Sequence, residues 1–102
     1  MTIYHIVLPT VWEKFKDKDF YEASSLQTEG FIHCSFAEQI ETVLNRYYED
    51  AETVLLLEIE TEKLTSELIN EPSTGGEIYP HIYGKINAGA IVGNKEKTID
   101  RR

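Results

Sequence analysis

A single cysteine, Cys34, stands in these 102 residues, so the chain cannot close a disulfide on itself. That excludes the stapled scaffolds of small secreted proteins and fits a reducing compartment. No apolar stretch approaches the ~20 residues needed to span a bilayer. The opening Met1-Thr2-Ile3-Tyr4-His5 lacks the basic-then-apolar pattern of a secretory signal. A soluble, cytoplasmic protein with no membrane partner is therefore expected. Basic residues are scarce too, 10 against 18 acidic ones, for a formal net charge of −8. Such a field repels nucleic-acid phosphates at long range and excludes broad DNA or RNA binding, while a small-molecule nucleotide held by a local field stays open as a partner. Glycine-rich phosphate loops are missing, because Gly75-Gly76 has no following lysine and no further glycine at the required spacing. There is no G-x-S-x-G elbow. No H-x-x-x-H or C-x-x-C pair exists to anchor an ion, so no metal is expected.

What the chain does contain is enough to fold. Hydrophobic residues make up 41% of it, far above the level at which a chain stays disordered. Its length suits one domain with no room for a second core. We read residues 1–102 as a single domain with its core in 3–93 and a charged, frayed tail in 94–102.

Apolar runs and punctuation give the order of elements. Ile3 to Leu8 reads as a short strand covered on both faces and stopped by Pro9. Thr10 with Glu13 forms a capping box for a helix over 11–18. Residues 21–28, with their serines, read as a loop or weak strand, and Phe31 to Cys34 as a second strand. Ser35 opens the best-defined helix, whose stripe is Phe36, Ile40, Val43, Leu44 and Tyr47. Ser35 with Glu38 makes a second capping box. Thr53 to Ile59 is a central strand, 61–64 a single helical turn, 68–70 a strand and 72–76 a flexible loop. Residues 78–83 and 88–92 complete the strands. The sum is an α+β domain, mainly antiparallel, with two main helices against the sheet.

All three histidines lie in strand-like runs: Tyr4-His5-Ile6, Phe31-Ile32-His33-Cys34-Ser35 and Pro80-His81-Ile82-Tyr83. Imidazole is the side chain whose ordinary pKa, ~6.5, lies near working pH. Strand alternation puts His33 and Ser35 on one face and His81 and Tyr83 on another. A sheet that brings these strands together makes a polar cleft. Each histidine taken singly also fits the plainer role of a half-buried ring bonded to a backbone carbonyl. Ser35 is both a helix cap and a phosphate-facing hydroxyl. Cys34 suits a small buried apolar residue better than a nucleophile. Arg46 fits a solvated or paired surface arginine, and Glu71 and Glu77 flank the Gly-Gly loop as weaker acid–base candidates.

Together, Ile3-Tyr4-His5-Ile6, Ser25-Leu26, Gly30 through Ser35, Gln39, Asn45-Arg46-Tyr47, Leu56 to Ile59 and Tyr79 through Gly84 resemble a small bacterial family, domain of unknown function 952. The likeness runs from residue 3 to about residue 92. That family's fold resembles the ADP-ribosyltransferases, a split antiparallel β structure that grips NAD in a cleft. The resemblance implies that His5 orients the ribose side of a substrate and that His33 stands near the nicotinamide. His81 takes the place of the late-strand glutamate, which is absent from Pro80 to Tyr83. It implies a transferase or hydrolase acting on NAD, ADP-ribose or another phosphorylated nucleotide, with NAD as substrate and no other cofactor. His33, His81 and Tyr83 are the catalytic candidates; His5, Ser35, Gln39, Arg46 and Glu71 are the substrate-binding ones. The alternative is a non-catalytic module that binds a nucleotide or a protein. The sequence leaves the oligomeric state open.

Overall fold

A computed structural model describes residues 1–99, the side chain of Thr74 apart. In chain order it contains β1 (Thr2–Val7), α1 (Pro9–Trp12), β2 (Phe20–Tyr21), α2 (Ser25–Glu29), β3 (Ile32–His33), α3 (Ile40–Tyr47), β4 (Thr53–Glu60), β5 (Glu67–Pro72), β6 (Ile78–Tyr83), β7 (Ile86–Asn87) and β8 (Ile91–Thr98). The aliphatic run of β4 is flanked on both sides, giving an antiparallel sheet in the order β1-β4-β8. A second antiparallel sheet runs β3-β6-β5, and β2 pairs with β7 in a short ribbon. The expected small α+β domain of antiparallel strands and few helices is thus what forms.

Several local expectations need correction. Pro9 does not end the first strand so much as start α1, since its fixed φ and missing N–H suit the first helical position. The cap is Leu8, so Thr10 caps nothing, and the regular helix ends at Trp12 instead of Lys18. Residues 25–29 form a helix where a loop or weak strand was expected; Gly30 at φ 90° ends it in the left-handed conformation that glycine tolerates. Ser35 does not cap the next helix. Its backbone exchanges two hydrogen bonds with Tyr4, at 2.9 and 2.7 Å, and a 3₁₀ turn begins only at Ala37. The Ser35–Glu38 box is replaced by Gln39, whose Oε1 accepts from the Phe36 N–H at 3.0 Å. Residues 94–98 are no frayed tail. They lie in β8, paired with β4 from Leu57↔Asn94 to Thr53↔Thr98. Alternating charges there face solvent while the backbone completes the ladder. Residues 100–102 lie outside the described part.

The core is shared by both sheets. Ile3, Ile32, Leu57, Ile59, Ile82, Ile86 and Ala90 are fully buried in one cluster, with Trp12, Phe15 and Leu26 packed against it. Each such aliphatic side chain contributes ~1.5–3 kcal/mol of burial. A smaller cluster of Ile6, Leu44 and Val54 seats α3 on β1 and β4. No described helix is long and apolar enough to cross a membrane.

Candidate functional site

The two larger sheets meet at a single bridge, Tyr4 opposite Ser35. If that pairing continued, Ile6 would face His33, because bonded pairs recur every second residue in an antiparallel ladder. It stops instead, and side chains take up the carbonyls it would have used. His5 Nδ1 donates to the His33 carbonyl at 2.7 Å, and the Tyr48 hydroxyl makes a long 3.5 Å contact with the Ile6 carbonyl. By the same alternation the N–H groups of Ile6 and His33 turn toward the gap. A cleft of about 1220 Å³ opens there, lined among others by His5, Tyr21, Phe31, His33, Ser35, Arg46, Tyr48, Glu71, Tyr79 and His81.

All three histidines therefore come together, from β1, β3 and β6. His33 and His81 are cross-strand partners, with ring centroids 5.5 Å apart and edge to face. Phe31 stacks on His81 at 4.1 Å and 24°. Glu71, on β5, brings its carboxylate to His81 Nδ1 at 2.7 Å, and the Tyr83 hydroxyl donates to the same oxygen. Those bonds, Tyr83 first and His81 second, hold the Glu71 carboxyl below its ordinary pKa. Glu71 in turn raises the Tyr83 phenol. An ionised carboxylate only accepts, so Nδ1 carries the proton it shares with Glu71. His81 Nε2 is buried and has no hydrogen-bond partner among the described residues.

The other two rings are committed differently. A carbonyl only accepts, so His5 is protonated on Nδ1 and takes the Tyr21 hydroxyl on Nε2 at 2.7 Å. Burial, above all, holds its pKa down to about 4, so it stays neutral near pH 7. This is the plain structural role of a histidine on a carbonyl, played at the seam of the cleft. His33 is half exposed and its Nε2 lies 3.0 Å from Glu29. Burial raises the Cys34 thiol well above its ordinary value, which keeps it an unreactive apolar residue.

The remaining candidates divide. Ser35 is buried on the cleft wall and Arg46 lines the cleft from exposed ground near Tyr79. Tyr83 touches the site through Glu71. Gln39 leaves the binding set: its amide donates to Glu77 and to the Ile78 carbonyl at 2.9 and 2.7 Å, and it is absent from the cleft lining. Phe31, Glu29 and Tyr21 were missed. Phe31 was findable, since period-two alternation puts it on the face of His33 and Ser35. Glu29 is four residues before His33, but that spacing carries meaning only once α2 is known. Among the described residues no group of three or more histidine, cysteine or acidic side chains is placed to hold a metal ion.

A family model described as "Protein of unknown function (DUF952)" matches residues 6–94. The crystal structure of protein CC0527 from Caulobacter crescentus aligns with a TM-score of 0.87 at 27% identity, covering 98% of this chain and 89% of that one. A double mutant of the same protein aligns at 0.87 and 26%, with the same coverage. Its solution NMR structure gives 0.83 at 27%, over 97% of this chain and 86% of the other. No curated protein matches. ADP-ribosyltransferases are not among the solved chains that match, so these relatives support the α+β antiparallel fold and nothing finer.

Proposed function

We propose for this chain, which belongs to the DUF952 family, that its cleft binds a small phosphorylated nucleotide and acts on it through histidine acid–base chemistry. On this reading it is a cytoplasmic transferase or hydrolase of ADP-ribosyl type, with a split sheet like that of the ADP-ribosyltransferases and NAD or ADP-ribose as substrate. The observation that carries the reading is the convergence of His5, His33 and His81 on one cleft of about 1220 Å³, with His81 Nε2 left without a partner. That volume accommodates a dinucleotide-sized ligand. The late strand of this chain lacks the usual glutamate, but Glu71 supplies a carboxylate from the adjacent strand. The N–H groups of Ile6 and His33 supply donors along the gap, and Arg46 a cation on its wall. His5, neutral and fixed, orients the ligand; His33 and His81 exchange protons with it, a role worth ~10²–10⁴ in rate for a well-placed group.

The test is a thermal-shift screen with NAD, ADP-ribose, mononucleotides and sugar phosphates, each hit followed by mass spectrometry of the ligand. A ligand at ~100 times its Kd adds ~2.7 kcal/mol of stability. Product formation that His81→Ala and His33→Ala each reduce at least a hundredfold, with the folded state retained, is the expected outcome. Saturable binding without product makes the protein a nucleotide-binding module instead. No shift with any of these compounds overturns the reading.

A further inference from the structure

His81 is 3% exposed, and its Nε2 is a buried polar atom with no partner among the described residues. Natural structures leave few such groups, and an unmet one costs stability, so this atom calls for a partner from a ligand or from water. The Glu71 carboxylate and the Tyr83 hydroxyl fix the other end of the ring. Phe31 holds its plane by stacking. With Nδ1 donating to Glu71, the neutral form of the ring presents Nε2 as an acceptor.

We infer that Glu71 and Tyr83 are positioning residues that hold His81 as an acceptor, and that the group it receives is a hydroxyl of the ligand, such as that of a sugar. This deepens the proposed function and rests on the same cleft. Among the described residues no protein group serves as the donor: Cys34 sits on the opposite face of its strand, and no side-chain hydroxyl is bonded to Nε2. The charged groups linked to the ring are Glu71 directly and, through His33, Glu29. No lysine or arginine is bonded to either carboxylate among the described residues. Anionic oxygen is therefore repelled from this end of the cleft, and an uncharged donor is favoured. Phe31 and the half-exposed His33 line the same cleft and pack on the ring, so an incoming hydroxyl meets those two rings beside it.

Long-range proton–nitrogen NMR on uniformly labelled protein tests this without any turnover. Only three histidines exist, so His33→Asn and His81→Asn variants assign the signals. At pH 7.5 His81 is expected as the single Nδ1-protonated tautomer in the native protein and as a mixture of both tautomers in Glu71→Ala. Tyr83→Phe keeps the tautomer but broadens the preference. Added D-ribose is expected to move the His81 Nε2 signal, and Glu71→Ala to lose that response. Inorganic phosphate is expected to leave the signal in place. An imidazolium, or an Nε2-protonated ring, overturns the inference. So does a signal that phosphate or ethylammonium moves more than ribose does, or one that ribose leaves untouched because water already fills the place. The nucleotide screen can fail while this tautomer and its ribose response hold, and the reverse, so the two readings fall separately.

Discussion

His5 shows how one buried side chain couples fold and pH. Its Nδ1 replaces a ladder bond at the sheet seam, its Nε2 receives the Tyr21 hydroxyl, and burial depresses its pKa to about 4. The unfolded chain binds that proton near the ordinary ~6.5. Below ~6.5 the unfolded state therefore holds more protons, and stability falls with pH until the folded ring also titrates near 4. The contribution is complete above ~6.5 and amounts to ~2–3 kcal/mol lost by pH 4.5. Glu71 acts in a lower window, because a carboxyl held below its ordinary value stabilises above ~4.3 and loses that only on further acidification. Urea unfolding from pH 7.5 to 4.5 should show the upper loss in the native protein and a nearly flat profile in His5→Gln. Equal slopes in the two proteins would remove His5 as the cause.

Elements carry the clearest contrast between what the residues announced and what the chain builds. The strands at Ile3, Val54 and Ile78 were legible because near-continuous apolar residues allow little else. So were the histidines, each embedded in such a run. Helix α2 was not, since Ser24, Ser25 and Thr28 favour turns locally and only packing of Leu26 on the core selects the helix. Strand β8 was hidden by Lys95, Glu96 and Lys97, whose pattern reads as a solvated tail until β4 presents an open edge. Ile99 packs against the second cluster and Lys97 pairs with Glu41 at 2.9 Å. A chain ending at residue 93 should therefore fail to fold, seen as loss of dispersed amide signals; total stability of ~5–15 kcal/mol does not survive an uncovered central strand. A well-dispersed spectrum would restore the tail reading. Gln39 ties the turn before α3 to the start of β6 through two hydrogen bonds, to Glu77 and the Ile78 carbonyl, and braces the turn with a third from the Phe36 N–H. Gln39→Ala should cost ~1–2 kcal/mol in denaturant unfolding, by removing hydrogen bonds that the buried amide makes to half-exposed and exposed partners, and change affinity for any nucleotide hit less than twofold. Lost affinity at unchanged stability would return Gln39 to the site.

At the scale of the whole molecule, hydrogen bonding divides what apolar packing joins. The two larger sheets share one bridge, Tyr4 with Ser35, which alone would let them separate. Yet the main cluster draws Ile3, Leu57 and Ile59 from one sheet and Ile32 and Ile82 from the other. Neither sheet can bury its inner face without its neighbour, and a cleft can open at the seam because the core beneath it does not. This also explains why the site was only half legible: the convergence of strands followed from their apolar character, whereas the gap depends on a ladder that stops after one pair. Trp12, the one tryptophan, packs on the shared cluster and reports on it directly. Its fluorescence and the far-UV circular dichroism should therefore lose native signal at the same denaturant midpoint, the mark of a single cooperative unit. Separate midpoints would mean that the sheets unfold independently, and the cleft would then be a hinge between two weakly joined halves.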